Sequence, residues 1–480
     1  MSCVTVDEDP QVHQGLPLVH RLPVDFCLEA AFARLRHLPH CLWLDSAAPG
    51  PRPNLGRYSF LTADPIETLV ADSGHDNPWP QLERWCQSLS ADSNSELPPF
   101  QGGIAGLVGY EAATWLEPVD AARTNDLPTP AMSLGRYDWT IAVDHLQGCG
   151  WIISQGFGGR DELDRAQRAK QRLHQVQDWL RSEPRPSATP QRPASIQLGR
   201  QYATAVNGIS SNLTSEQYRA CVAEIVRRIC DGDSFQVNLA QRLLAKAKSS
   251  SSDLYVRLRK HNPAPFGAYY AGDGFEVVSS SPEGFLKVRN EVVETRPIKG
   301  TVPRTGDPEL DSELAEQLLA SEKDRAENVM IVDLMRNDLS RVCDASSIRV
   351  RELCAIERYQ YVQHLVSVVE GRLAKDQNIA NLLQASFPGG SITGAPKIEA
   401  MKTIARLEPN RRGPYCGSIG YISCGGNADF NILIRTITAA HGYWQIPVGG
   451  GITARSEPVA EEAETWAKAE GMLRAIVDGG

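Results

Sequence analysis

Apolar positions along this chain fall into two kinds of run. Short, nearly continuous stretches rich in aromatic and β-branched residues occur at 41–45 (CLWLD), 58–61 (YSFL) and 139–143 (WTIAV). Such runs predict strands. Elsewhere the apolar residues recur at helical spacing among charges. Residues 160–181 place Leu163, Leu173, Val176 and Leu180 in a charge-rich setting and predict a surface helix. Thr214, followed three residues later by Gln217, reads as a capping box opening a helix that runs to about Ile229. Residues 314–339 predict two consecutive helices or one interrupted helix. No repeat of fixed period is present. Strands and helices mix without a regular β-α-β rhythm, which favours an α+β fold over a doubly wound sheet.

Polar breaks divide the chain. Residues 182–195 read SEPRPSATPQRPAS, with four prolines, and predict an extended, solvated linker. A smaller break falls at 92–99. The expected organisation is a first region at 15–181, a linker at 182–199 and a second region, richer in helical signals, at 200–475.

Composition narrows the class. At 480 residues and 42% hydrophobic, the chain carries ample material for a core, so disordered and fibrous classes are excluded. Lys+Arg is 49 against 58 Asp+Glu, a net charge of −9. That acidic balance disfavours a nucleic-acid partner. No apolar run reaches the ~18–20 residues of a membrane span, and the acidic start MSCVTVDEDPQ has no signal-peptide pattern. The eleven cysteines are scattered, without a C-x-x-C pair. Free thiols in a reducing compartment are expected, hence a cytoplasmic enzyme acting on a small molecule.

Several stretches carry candidate chemistry, each with a plainer reading beside it. Glu327, in the run 322–339 (EKDRAENVMIVDLMRNDL), stands where a polar helix face meets an apolar one. It could hold a hard cation such as Mg²⁺, or belong to a solvated face. Glu464 and Lys468 share a helix face as either a metal carboxylate beside a cation or a surface pair. Lys299, in 296–301 (RPIKGT), could be a desolvated nucleophilic amine or a lysine in a surface turn. Glycine-rich stretches at 389–397 (GGSITGAPK) and 449–453 (GGGIT) could approach an anion or form tight turns. The first lacks the order of a phosphate-binding P-loop.

Taken together and in this order, the stretches resemble the chorismate-utilising enzymes of the anthranilate synthase large-subunit family. The resemblance rests on 232–239 (GDSFQVNL), 281–283 (SPE), 296–301, 324–339, 394–397 (GAPK), 417–421 (GSIGY) and 449–453. In the first half it rests on 56–59 (GRYS) and 106–111 (GLVGYE). It implies an α+β fold of two packed, largely antiparallel sheets flanked by helices. It also implies roles for single residues. Lys299 stands where anthranilate synthases carry alanine and marks the aminodeoxychorismate synthase branch, which aminates chorismate at C4 through a covalent lysine. Glu283 matches the general acid and His364 the active-site histidine. Tyr415, Arg435, Gly450, Gly451, Lys468, Gln236 and Thr301 match substrate-binding positions. Glu327 and Glu464 match the Mg²⁺ carboxylates. Gln236 replaces the lysine that activates water in isochorismate and salicylate synthases, which disfavours water attack.

No amidotransferase nucleophile in a G-x-C-x-G context occurs; Cys149 and Cys416 do not fit one. The resemblance therefore implies ammonia from a separate glutamine amidotransferase subunit. Two departures stand out. The family's S-P-E-R reads Ser281-Pro282-Glu283-Gly284, and the L-L-E-S of tryptophan-binding relatives reads Trp43-Leu44-Asp45-Ser46. The rival readings are an anthranilate synthase, aminating at C2, and a non-catalytic docking subunit.

Overall fold

The computed structural model describes residues 16–48, 55–89, 93–187, 196–359 and 362–477. The acidic N-terminal stretch, Asp92 and residues 188–195 of the proline-rich segment lie outside the described residues.

The predicted strands form as Leu42–Asp45, Tyr58–Thr62 and Trp139–Asp144. They join one 13-stranded sheet; a second sheet has 10 strands. Both sheets draw on both halves of the chain. Leu42–Asp45 pairs antiparallel with Phe266–Gly272. In the other sheet Gly103–Val108 pairs antiparallel with Ser418–Ser423. The fold is the expected α+β arrangement, and the two sequence regions are interleaved within it.

The strands read as continuous apolar runs because both faces of the larger sheet are covered. Leu42, Phe60, Ala142, Ile153, Tyr270 and Val277 point into the layer shared with the second sheet. Their chain neighbours Trp43, Leu61, Ile141, Ile152, Tyr269 and Val278 point into the opposite layer. There they meet the helices Leu28–Leu35, Glu162–Arg181, Ser251–His261 and Pro458–Val477. Successive side chains of a strand alternate faces, so burial on both sides erases the polar alternation of a half-exposed sheet.

The helix signals hold in most details. Thr214 caps Ser215–Cys230, and Gln217 closes the capping box. Residues 314–339 fall within two helices, Pro308–Ala320 and Glu322–Ser340, which meet at Ser321. Leu163 differs from expectation. It is 80% exposed, because it lies in the first turn of Glu162–Arg181, and only the later Leu173, Val176 and Leu180 reach the sheet. The glycines 449–451 also differ. They lie inside the strand Tyr443–Ile452, paired with Gln236–Lys246, and make no turn.

Candidate active site

Residues from both sheets, two helices and several connecting segments line one cavity of about 700 Å³. Lys299 and Thr301 reach it from the strand Ile298–Pro303, and His364 from the neighbouring strand Val362–Arg372. A bulge between Lys299 and Thr301 shifts the register, so that Thr301 lies opposite His364. The inserted residue is Gly300, at φ +72°; a Cβ there would stand 2.7 Å from Leu318 Cδ1. Only glycine suits both demands, and the bulge re-aims its neighbours towards the cavity.

Burial depresses the Lys299 pKa, against the opposing pull of Glu327 and Glu283. Removing an ammonium from water penalises its charged form. Glu283 follows the strand Phe275–Ser281 and is buried. Burial pushes its pKa up to about 7, against the opposing pull of the Ser391 side chain and the nearby Lys299 charge. An amine whose proton is loosened thus faces an acid that keeps its own near neutrality. His364 Nδ1 lies 2.8 Å from Thr301 Oγ1. Burial, reinforced by Arg435, holds His364 down to about 4, so it is neutral at physiological pH.

Opposite stand the anion-binding candidates. Arg435 and Tyr415 line the cavity, and burial lowers the Arg435 pKa. No carboxylate among the described residues forms an ion pair with Arg435. Arg435 sits at φ +51°, with its carbonyl accepting from the Ser280 N–H at 3.1 Å. A backbone held in that uncommon region is fixed by its surroundings, and here it presents a guanidinium to an open space.

The carboxylates gather on the remaining wall. Glu327 comes from Glu322–Ser340; Glu461 and Glu464 come from Pro458–Val477. Burial raises Glu327, and its Oε1 is buried without a hydrogen-bond partner. Burial would also raise Glu464, but Lys468 Nζ, at 2.6 Å, outweighs it and holds the carboxylate low. A Cβ on Gly450 would stand 3.4 Å from Glu461 Oε2 and 3.6 Å from Glu464 Oε1. The bare backbone therefore leaves a cradle between strand and helix. Among the described residues no three His, Cys, Asp or Glu side chains converge as a full ligand set. An orphaned carboxylate oxygen in the cavity that Glu464 also lines suits an ion that keeps most of its waters, as Mg²⁺ does.

A second, smaller cavity of about 90 Å³ lies where Asp45, Ser46 and Arg57 meet Phe266, Gly284 and Tyr421. A side chain at Gly284 would stand 2.8 Å from Phe266 Cζ, so the arginine of the family's S-P-E-R has no room here without Phe266 moving.

Comparison with known proteins decides the family. Residues 39–474 match the family described as chorismate binding enzyme. The chain belongs to that family. It is 38% identical over 464 residues to aminodeoxychorismate synthase component 1 of Escherichia coli (strain K12), covering 93% of this chain and 96% of the relative. It is 39% identical over 381 residues to anthranilate synthase component 1 of Streptomyces coelicolor, covering 79% and 74%. The crystal structure of anthranilate synthase component I from Streptococcus pneumoniae superposes with a TM-score of 0.74 at 29% identity, covering 87% of this chain and 92% of that one.

Within this chorismate binding enzyme the cavity brings together Lys299, Glu283, Thr301, His364, Tyr415, Arg435, Gly451, Lys468, Glu327 and Glu464. Gly450 faces the carboxylate cradle. Gln236 stands behind the wall. It is fully buried, and a Cβ on Gly451 would lie 2.6 Å from its Nε2. Neither polar atom of its side chain has a hydrogen-bond partner. Sequence reasoning passed over Asn238, Lys323, Ser391 and Glu461, which also line the cavity. Asn238, Lys323 and Ser391 lay within stretches already singled out, but nothing in their spacing separated them from their neighbours.

Proposed function

We propose that this chain aminates chorismate at C4, giving 4-amino-4-deoxychorismate on the route to 4-aminobenzoate and folate. The observation that carries the reading is the pair formed by Lys299 and Glu283, an easily deprotonated amine beside an easily protonated acid, in one cavity of a chorismate binding enzyme. The 38% identity to an aminodeoxychorismate synthase component 1 supports it.

The Lys299 amine attacks C2 as the C4–O bond breaks with allylic shift, and Glu283 gives its proton to the departing hydroxyl, which leaves as water. Ammonia then attacks C4, the double bond shifts back, and the C2–N bond to Lys299 breaks. Splitting one hard substitution into two is what a covalent intermediate offers. Each attacking nitrogen releases a proton; one reprotonates Glu283 and one returns to the lysine. Arg435 and Tyr415 hold the enolpyruvyl carboxylate, with the Gly451 backbone and Lys468 beside it. His364, neutral and fixed by Thr301, serves as a hydrogen-bonding wall. Glu327 and Glu464 would hold Mg²⁺, which neutralises and orients the ring carboxylate when bound. Gln236 adds no base for water, in keeping with amination rather than hydration.

The ammonia comes from a separate glutamine amidotransferase partner, as the "component 1" of the relative's name supports. Residues 200–475 form the catalytic segment, 182–199 the linker, and 15–181 a scaffold that shares its sheets. We read the chain as cytoplasmic: no disulfide occurs among the described cysteines, and no described helix is long and apolar enough to cross a membrane.

Product analysis tests the reading. Purified chain with chorismate, Mg²⁺ and an ammonium salt is expected to yield aminodeoxychorismate with its enolpyruvyl group intact, by mass spectrometry and NMR. Anthranilate would instead assign the chain to amination at C2, the reading that the Streptomyces relative favours. Absence of any product, even with an amidotransferase subunit added, would leave a docking role.

A further inference from the structure

Glu327 and Lys299 reach the large cavity from different elements, the helix Glu322–Ser340 and the strand Ile298–Pro303. Their separation is set by the offset of that helix on the strands it crosses, Ile298–Pro303 and Val362–Arg372. The buried stripe of the helix includes Ile331, Val332, Met335 and Leu339. An apolar stripe repeats with every turn, so packing alone accepts neighbouring offsets. Asn328 heads the stripe and is fully buried. Consecutive helix residues stand about 100° apart, so Asn328 meets the sheet while Glu327 lines the cavity.

The Asn328 amide is bonded at both ends. Its Nδ2 donates to the Leu365 carbonyl at 3.3 Å. Its Oδ1 accepts from the Ser367 hydroxyl and, at 3.7 Å, from the Cys354 thiol. Ser367 Oγ in turn accepts from the Cys354 N–H at 2.9 Å. Leu365 is the register partner of Lys299. The Ser367 N–H donates to the carbonyl of Pro297 at 3.2 Å, two residues before Lys299. The two residues that hold Asn328 therefore also hold the segment that carries the amine. Asp338, another buried polar side chain of this helix, pairs with Lys397 at 2.8 Å and ties the far end to a different element, the helix Lys397–Leu407.

We propose that Asn328 is a positioning residue that sets the offset of the helix on the strand, and so the placement of Glu327 against Lys299. The inference rests on the functional reading above, in which Glu327 would hold Mg²⁺. A slipped helix leaves the amide, the Ser367 hydroxyl and the Leu365 carbonyl unmatched in an apolar layer. One buried polar contact thus selects a single offset among those that apolar packing accepts.

The test compares wild type with Asn328→Leu, which keeps the volume and removes the amide. Three quantities are read: melting temperature, the Mg²⁺ dissociation constant by calorimetry with chorismate but no ammonium, and kcat with saturating Mg²⁺ and ammonium. The Mg²⁺ dissociation constant is expected to rise roughly tenfold to a hundredfold, as when support behind a metal ligand is lost. The kcat should fall by a similar factor, since a misplacement of about 1 Å is costly in rate. Melting temperature should change little. A lowered melting temperature with wild-type Mg²⁺ affinity and kcat would make Asn328 merely structural and overturn the proposal. Ser367→Ala should shift affinity and kcat in the same direction by less, and Ser367→Thr, which keeps the hydroxyl, should restore both; failure of threonine to rescue would also overturn it.

A crystal structure of Asn328→Leu needs no turnover. It should show the Glu327 carboxylate displaced from Lys299 by about an ångström; an unmoved carboxylate sinks the inference. If Asn328→Leu does not fold, the Ser367 variants carry both the titration and the structure. Absence of aminated chorismate from wild type would sink the functional reading instead, and the crystal comparison would still decide the register.

Discussion

The two cavities differ in how their charges are used. In the small one every charge has a partner. Asp45, buried, accepts from Ser59 Oγ and Tyr255 OH at 3.1 Å and from Arg259 Nε at 2.8 Å. Arg57 pairs with Asp144, Arg289 with Asp429, and Arg296 with Glu357. In the large one Arg435 has no ion pair among the described residues, and Glu327 Oε1 has no donor. Unpartnered charge in a half-closed space is costly unless a ligand completes it. The pairing of charge therefore separates a site awaiting a dianion from a cavity that serves the fold.

That contrast can be broken from the large cavity first. Lys299→Ala removes the nucleophile and should cost C4 amination about a thousandfold or more, within the range covalent and proximity effects supply. Full activity in that variant would end the covalent mechanism. Glu283→Gln should cost roughly a hundredfold in kcat, since general acid catalysis is worth about that much or more. In wild type Glu283 must be protonated to act, and its pKa is about 7. The acid form is lost as pH rises through that value, so kcat should fall above neutrality; in Glu283→Gln that limb should vanish. Arg435→Lys should mainly raise the KM for chorismate, by about tenfold, because a point charge replaces a bidentate fork. An unchanged KM would remove Arg435 from the anion site.

The small cavity predicts the opposite pattern. Asp45→Asn should lower the melting temperature, by roughly 2 kcal/mol of stability, through loss of a buried, hydrogen-bonded charge pair. The KM for chorismate should hold. Added tryptophan should move neither melting temperature nor rate, because the Asp45 carboxylate already serves Arg259, Tyr255 and Ser59. A clear thermal shift with tryptophan would show that those partners yield to a ligand.

Much of this was legible in the sequence, unevenly. Strands such as 41–45 announced themselves, but the layer that each side chain enters did not, since Leu42 and Trp43 are equally apolar and equally buried. Leu163 shows the limit of helical spacing. Spacing gives an angle about the axis, not how far along the helix the underlying sheet extends. The residues that the large cavity brings together were picked out by resemblance rather than by pattern. The bulge at Gly300, which sets Thr301 against His364, depends on a pairing partner more than sixty residues away and has no local signature. Gln236 and Gly451 were expected as neighbours of substrate; that one stands behind the other follows only from the register of two strands.

The interleaving of the two sheets bears on how the molecule is made. On a ribosome Leu42–Asp45 emerges early and finds Tyr58–Thr62 at one edge. Its other edge waits for Phe266–Gly272, 266 − 45 = 221 residues later. At about 5–20 residues per second that is an interval of tens of seconds with an exposed apolar strand edge. The helix bearing Glu464, Pro458–Val477, follows later still. The nascent chain cannot complete the large cavity until that helix has been synthesised. Newly made copies should therefore depend on chaperones more than the finished enzyme's deep core would suggest.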